Sequence, residues 1–187
     1  MATTLFGKKD FSYIKTQGIK YAGSKLKIIP YILESIEDLK IKTVLDGFSG
    51  STRVSQAFAQ AGYDVMSNDI AHWSETCAKC FLLHNKGKEY YQNILDGLNA
   101  LDGYNGWFTT HYGGDEEMGE KMPFQKKNTQ KLDAIREKIE ELKLNDIDKA
   151  VIITSLLLAL DSVDSTLGHF SSYLSKWSDR SYNDLIL

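Results

Sequence analysis

Apolar residues recur at helical spacing over residues 25–39, where Leu26, Ile29, Ile32, Leu33, Ile36 and Leu39 fall on one face. The run Thr43-Val44-Leu45-Asp46 breaks that period and reads as a short buried strand that leaves through Gly47-Phe48-Ser49-Gly50. A second helix is predicted from Ser51 or Thr52, either a plausible N-cap, through Val54, Ala57, Phe58 and Ala61 to a stop at Gly62. Residues 63–68 read as the next strand. Residues 73–85 read as a further helix, closed by Lys86-Gly87-Lys88. Strand alternating with helix is the signature of a parallel α/β sheet.

The pattern then changes. Residues 102–128 are rich in glycine and polar side chains, including Gly113-Gly114-Asp115-Glu116-Glu117. An aperiodic stretch of that length is more often functional or mobile than a plain connector. Two helices follow: 129–142, charged and amphipathic, and 146–163, apolar nearly all round and therefore expected to be buried. The tail, 171–187, carries aromatics and single charges without a clear period. The expected plan is an α/β core over residues 1–101 and a mainly helical insertion over 102–187.

Composition narrows the class only modestly. With 187 residues, 42% hydrophobic and 25% charged, the chain is an ordinary globular one, not a disordered or low-complexity one. A net charge of −3 excludes a wholly basic nucleic-acid coat but leaves room for a local basic face. The longest apolar run, residues 150–160, falls far short of the ~20 residues of a membrane span. Residues 1–10 lack the apolar core of a secretory leader, and two cysteines, Cys77 and Cys80, cannot build a secreted-type disulfide framework. The expectation is a cytoplasmic protein without a membrane partner.

Two segments carry candidate chemistry. Asp46-Gly47-Phe48-Ser49-Gly50-Ser51 lies between a strand and a helix, where small residues let the backbone approach a ligand beside a helix N-terminus. Asp69 closes the next strand 23 residues after Asp46, near the ~20 expected of a nucleoside-binding α/β unit whose acidic residue takes ribose hydroxyls. The plainer alternative is a glycine turn and a helix-capping aspartate, but the pair at this spacing favours a nucleoside. The segment does not carry the full Gly-x-Gly-x-x-Gly pattern of a dinucleotide site. Lys20-Tyr21-Ala22-Gly23-Ser24-Lys25 opens the first helix. A lysine there opposes the helix dipole, so Lys25 calls for another partner such as a carboxylate. Tyr21 suits either an adenine cover or a hydrophobic edge.

Taken together and in order, Lys20-Tyr21-Ala22-Gly23-Ser24-Lys25, Asp46-Gly47-Phe48-Ser49-Gly50-Ser51 and Asn68-Asp69-Ile70 resemble the first three cofactor motifs of adenine-specific DNA methyltransferases of the Dam-like class. A weaker similarity to the target-recognition region of one branch runs through Asn105-Gly106-Trp107-Phe108, 128–139 and 161–177. The resemblance implies a doubly wound methyltransferase sheet, S-adenosylmethionine as methyl donor and double-stranded DNA as partner, with an extruded adenine as acceptor. It implies contact of Tyr21 with the adenosyl part, of Lys25 with the methionine carboxylate and of Asp69 with the ribose hydroxyls. Asp46, Phe48, Ser49 and Gly50 would complete the pocket. Ser24 and Thr52 replace glycines of the family pattern.

A larger departure is that Pro30 and Pro123 are the only prolines, so the family's Asp-Pro-Pro-Tyr segment is absent. That segment accepts hydrogen bonds from the adenine amine, whose lone pair is delocalised, and stacks on the extruded base. The expectation is therefore the donor-binding and target-recognition portion of such an enzyme, which a second chain or further sequence would complete. The alternative is a non-catalytic DNA-binding or specificity subunit.

Other candidates have plain readings. His72, Cys77, Cys80 and His84 invite a zinc site, but on one helix the cysteines and His84 read as core, and no metal is expected. Lys121, Lys126 and Lys127, with Lys131, could contact DNA phosphates or simply solvate a helix start. Trp107, Phe108 and Tyr112 could stack on bases or pin the glycine-rich stretch. His169, Tyr173 and Trp177 recur at i, i+4, i+8, a packing stripe.

Overall fold

The computed structural model describes residues 11, 13–20, 23–169 and 172–187. The chain divides into two units, Met1–Leu83 and His84–Leu187. The division falls before residues 88–99, which the sequence pattern assigns to the α/β core. Among the described residues no helix is long and apolar enough to cross a membrane.

The first unit is a strand–helix–strand unit with a helix on either side of it in sequence. A 3-10 turn, Leu26–Ile28, runs into α1 (Ile29–Ile36), with Pro30 in its first turn, where a missing N–H costs nothing. Next come β1 (Thr43–Asp46), α2 (Arg53–Gln60), β2 (Asp64–Ser67) and α3 (His72–Leu83). Strands β1 and β2 pair in parallel, Thr43 with Asp64 through Asp46 with Ser67. Such pairing needs a crossover, and α2 supplies it. Ile29 and Leu33 of α1 pack on Ala57 and Phe58 of α2, with Val44 and Val65 of the strands against the same cluster. Gly62, at φ +92°, ends α2 in the left-handed conformation that stops a helix.

Strand β1 matches the sequence expectation residue for residue, and the helix at 25–39 is shorter and begins as a 3-10 turn. Among the described residues of the first unit the parallel sheet has two strands. The α/β class holds, and the doubly wound arrangement goes beyond these strands.

The second unit is mainly helical. It contains α4 (Lys88–Asn99), α5 (Trp107–Tyr112), β3 (Gly113–Gly114), β4 (Phe124–Gln125), α6 (Lys126–Glu141), α7 (Asp146–Val163), β5 (Thr166–His169), β6 (Ser172–Tyr173) and a 3-10 turn, Asp179–Tyr182. Leu98, Ile135, Ile139, Ile152, Leu156 and Val163 form its core. Helix α7 is buried as its all-round apolarity requires, and Asn145 caps it by accepting the Ile147 and Asp148 amides. Asp148, itself buried, accepts the hydroxyls of Tyr90 (3.0 Å) and Tyr91 (2.9 Å) and so ties α4 to α7. Burial, with Asp148 beside it, pushes the Tyr91 hydroxyl up to about 12.

The glycine-rich stretch is not a free loop. It lies along α6 so closely that a Cβ on Gly106 would sit 2.6 Å from the Asp133 carboxyl carbon. Glycine is there for close approach. Asp133 in turn accepts the amides of Gly106 (3.0 Å), Phe108 (2.8 Å) and Thr109 (2.9 Å) and the Thr109 hydroxyl (2.7 Å), capping α5 from another helix. Of the tail that is aperiodic in sequence, residues 172–187 supply β6, antiparallel to β5, and the 3-10 turn. The His169, Tyr173 and Trp177 spacing is therefore not a helical stripe.

Burial alone would raise the Asp133 carboxyl, but its four hydrogen bonds outweigh burial and hold it below the ordinary aspartate range. Its contribution is thus full at neutral pH and is lost only as pH falls through that depressed value. Asp133→Ala should lower stability by about 2–4 kcal/mol in urea titration followed by tryptophan fluorescence. A loss below about 0.5 kcal/mol would show that the cap is not holding the segment.

Candidate functional site

The turn after β1 and the turn after β2 are welded together at one end of the sheet. The Asn68 amide donates to the Asp46 carbonyl (2.9 Å), the Ser49 amide to the Asn68 carbonyl (3.0 Å) and Asn68 Nδ2 to the Gly47 carbonyl (3.1 Å). Asp69 closes the joint. Its Oδ2 accepts the Gly50 amide (2.8 Å) and its Oδ1 the Ala71 amide (3.0 Å). Gly50 sits at φ +49°, a conformation glycine adopts without strain. Thr52 follows at φ +61° and does not cap α2 through its side chain. Its hydroxyl donates to the Ser51 carbonyl instead (2.8 Å). Thr52 is the N-cap residue by position, as expected, but it stands in the left-handed conformation and no side chain caps the first amides of α2.

The Ala71 amide first, and then that of Gly50, holds the Asp69 carboxyl below its usual range. A carboxylate offers about four lone-pair sites, so two amides leave Asp69 able to accept further donors. Ser55 donates to Asp46 Oδ2 (2.6 Å), and the Ser74 hydroxyl donates to the Gly50 carbonyl while lying 3.2 Å from the Ser49 hydroxyl. Ser55 and Ser74 had no signal in the sequence, because serines inside helices carry no motif of their own.

A cavity of about 520 Å³ opens beside this joint. Lys25, Asp46, Phe48, Ser49, Gly50 and Asp69 all line it, together with Gly23, Ser24, Ser51 and Arg53. Six of the seven expected cofactor-binding residues thus converge. The seventh, Tyr21, lies outside the described residues. The Phe48 ring is 96% exposed, a large aromatic surface left bare. The Lys25 ammonium donates to the Gly23 carbonyl (3.0 Å), and among the described residues no carboxylate pairs with it.

The expected DNA-contacting lysines are placed differently. Lys121 lies over the rings of Trp177 (4.1 Å) and Tyr173 (5.1 Å) and donates to the Met122 carbonyl, with burial pulling its pKa down. Lys126 faces Asp115 at 3.6 Å, and Lys127 binds Asp184 (2.6 Å) and the Tyr182 carbonyl (2.7 Å). Lys131 donates to the Asn99 and Leu101 carbonyls. Each cation is engaged within its unit, and residues 84–187 hold 12 Lys and Arg against 17 Asp and Glu. Trp107, Phe108 and Tyr112 pack on one another, and Trp107 stacks on His111 at 4.4 Å. They also wall a hollow of about 560 Å³ in the second unit. Its lining is apolar apart from Arg136, Glu140 and Lys149, which pair among themselves. Cys77 is buried and Cys80 half-buried, both reduced, and no metal-ligating cluster occurs among the described residues.

A strand–turn–helix joint bridged by an acidic residue just past the neighbouring strand, beside a cavity that also takes a lysine, is an arrangement by which α/β proteins hold nucleosides. The chain belongs to the D12 class N6 adenine-specific DNA methyltransferase family, whose model matches residues 21–187. Among its relatives is Modification methylase StsI of Streptococcus sanguinis, 30% identical over 186 residues, or 90% of this chain and 28% of that protein. Type II methyltransferase M.CviAII of Paramecium bursaria Chlorella virus 1 is 30% identical over 172 residues, 85% of this chain and 50% of that protein. Type II methyltransferase M2.HphI of Haemophilus parahaemolyticus is 29% identical over 144 residues, 74% and 38% respectively. The chain thus spans half or less of the length of these curated relatives. No solved structure matches it.

If Asp69 is the joint between the two turns, Asp69→Ala should speed hydrogen exchange at both the Gly50 and Ala71 amides by about tenfold or more while the strand amides of Val44 and Met66 stay protected. Unchanged exchange at Gly50 would show that the turn holds itself.

Proposed function

We propose that the cavity in the first unit is the S-adenosylmethionine site of an adenine-specific DNA methyltransferase. The observation that carries this reading is the convergence of Lys25, Asp46, Phe48, Ser49, Gly50 and Asp69, three separate sequence segments, on one cavity of about 520 Å³. That volume suits a nucleoside-sized ligand. The donor set suits it as well. A lysine without a described carboxylate partner matches the methionine carboxylate, an aspartate with acceptor capacity to spare matches a ribose diol, and the bare Phe48 ring matches the face of a purine.

Lys25 would hold the carboxylate end, Asp69 the ribose, and Phe48 with Ser49 and Gly50 the base, with Asp46 completing the wall and Tyr21 on the adenosyl side. The bound donor supplies an electrophilic methyl group. The chain's own residues fix its orientation and keep Asp69 ionised through two backbone amides. Transfer to adenine further needs acceptors for the amine protons and an aromatic for the base. The 187 residues include no Asp-Pro-Pro-Tyr segment, so none of them is assigned to that step. A longer chain or a second chain carrying such a segment would complete the enzyme.

Double-stranded DNA in the cytoplasm is the expected substrate, and a doubly wound sheet built on β1 and β2 is the expected frame. A non-catalytic DNA-binding subunit is the alternative. The missing Pro-Pro segment favours it, whereas the engaged lysines of the second unit count against it.

Calorimetric titration of S-adenosylmethionine into the chain should give one-to-one binding, weakened about tenfold or more by Lys25→Ala and by Asp69→Ala. Because the Asp69 carboxyl titrates below its ordinary value, affinity should hold from about pH 8 down to about pH 5. No heat from a chain shown to be folded would overturn the donor-site reading.

A further inference from the structure

Three side chains on α2 reach away from the sheet and grip the chain that leads to the cavity. Arg53, Gln56 and Gln60 stand at i, i+3 and i+7, one face of the helix. Gln60 accepts the Lys15 amide (3.1 Å) and donates to the Lys15 carbonyl (2.8 Å). Gln56 repeats the pattern on Gln17, at 2.9 Å for each bond. Arg53 donates from Nη1 to the Thr16 carbonyl and from Nη2 to the Gly18 carbonyl, both at 2.6 Å. The two amides serve residues 15 and 17 as a neighbouring strand would, satisfying N–H and C=O together. Four consecutive residues are thereby fixed to α2 through their backbone, whatever their side chains.

The chain returns to the same helix soon afterwards, where Ile29 and Leu33 pack on Ala57 and Phe58. Between the two attachments lie Gly23, Ser24 and Lys25, all on the cavity wall, and Arg53 lines that wall too. Attaching both ends of a segment to one rigid helix removes loop freedom before a ligand arrives. Asp69 and Phe48 owe nothing to this grip, because β1, β2 and the welded turns place them.

We infer that Arg53, Gln56 and Gln60 are positioning residues for Lys25, presetting it for the anionic end of the methyl donor. The inference rests on the donor-site reading above. A brace of the whole fold would act on every ligand of the cavity alike, whereas a device acting through Lys25 bears only on ligands that carry the carboxylate.

S-adenosylhomocysteine and 5′-methylthioadenosine share the thioadenosine body, and only the first has the amino-acid end. Both are titrated into the unsubstituted chain and into Gln56→Met, Gln60→Ala, Lys25→Ala and the Gln60→Ala/Lys25→Ala pair, with thermal melts run alongside. Gln56→Met and Gln60→Ala should each weaken S-adenosylhomocysteine by about three- to tenfold and leave 5′-methylthioadenosine within about twofold. Gln60→Ala should cost nothing further once Lys25 is alanine, the non-additivity of residues acting through one contact. Gln60 is the exposed end of the grip, so its variant carries the test should Gln56→Met unfold. Equal losses for both ligands, or none for S-adenosylhomocysteine in a folded variant, would overturn the inference. Binding of neither ligand to the unsubstituted chain would overturn the donor-site reading itself, and the inference with it.

Discussion

The carboxylate of Asp69 holds two backbone amides that belong to different turns, Gly50 after β1 and Ala71 ahead of α3. Two parallel strands fix the spacing of their ends but not the course of the chain beyond them. Without a bridge, the loop into α2 and the loop into α3 would each be free to choose a path. A charged acceptor between two N–H donors is among the stronger hydrogen-bond arrangements available, and it holds the carboxyl ionised in return. One residue thus shapes the wall of the cavity and presents a fixed negative charge within it. The carboxylate that joins the two turns is the same one proposed to hold the ribose.

Much of the first unit is written locally. Thr43-Val44-Leu45-Asp46, the glycine turn and the stop at Gly62 are signals carried by a few adjacent residues, and the elements fall where those signals put them. The convergence of the candidate residues was legible only because the three motifs occur together. Neither Lys25 nor Asp46 alone announces a cavity. What sequence could not supply was side chain to backbone bonding over long separations. Gln56 on Gln17 and Gln60 on Lys15 use ordinary helix residues for a task without a motif.

In the second unit the sequence misleads for a related reason. Helix α4 carries Tyr91, Ile94, Leu95 and Leu98 at helical spacing, but Gly97 lies among them, and the Lys86-Gly87-Lys88 turn just before it reads only as the close of the preceding helix. The glycines near residue 106 look like mobility and in fact mark contact with α6, a distinction that depends on Asp133, 27 residues away. The basic residues between 121 and 131 look like a phosphate-binding run, yet carbonyls, carboxylates and aromatic rings of the same unit already hold them. With acidic residues in excess, this unit does not draw DNA by its overall field, and recognition there would rest on local contacts.

The proposed donor site joins three sequence segments of the first unit. Amide chemical-shift mapping of the chain with S-adenosylhomocysteine tests it most directly. One donor site there would give shifts concentrated at Gly23, Ser24 and Lys25, at Asp46 to Ser51 and at Asp69 to Ala71, with little change in the helical unit. Shifts centred on Trp107, Leu156 and the other residues around the apolar hollow, with those three segments unmoved, would contradict it.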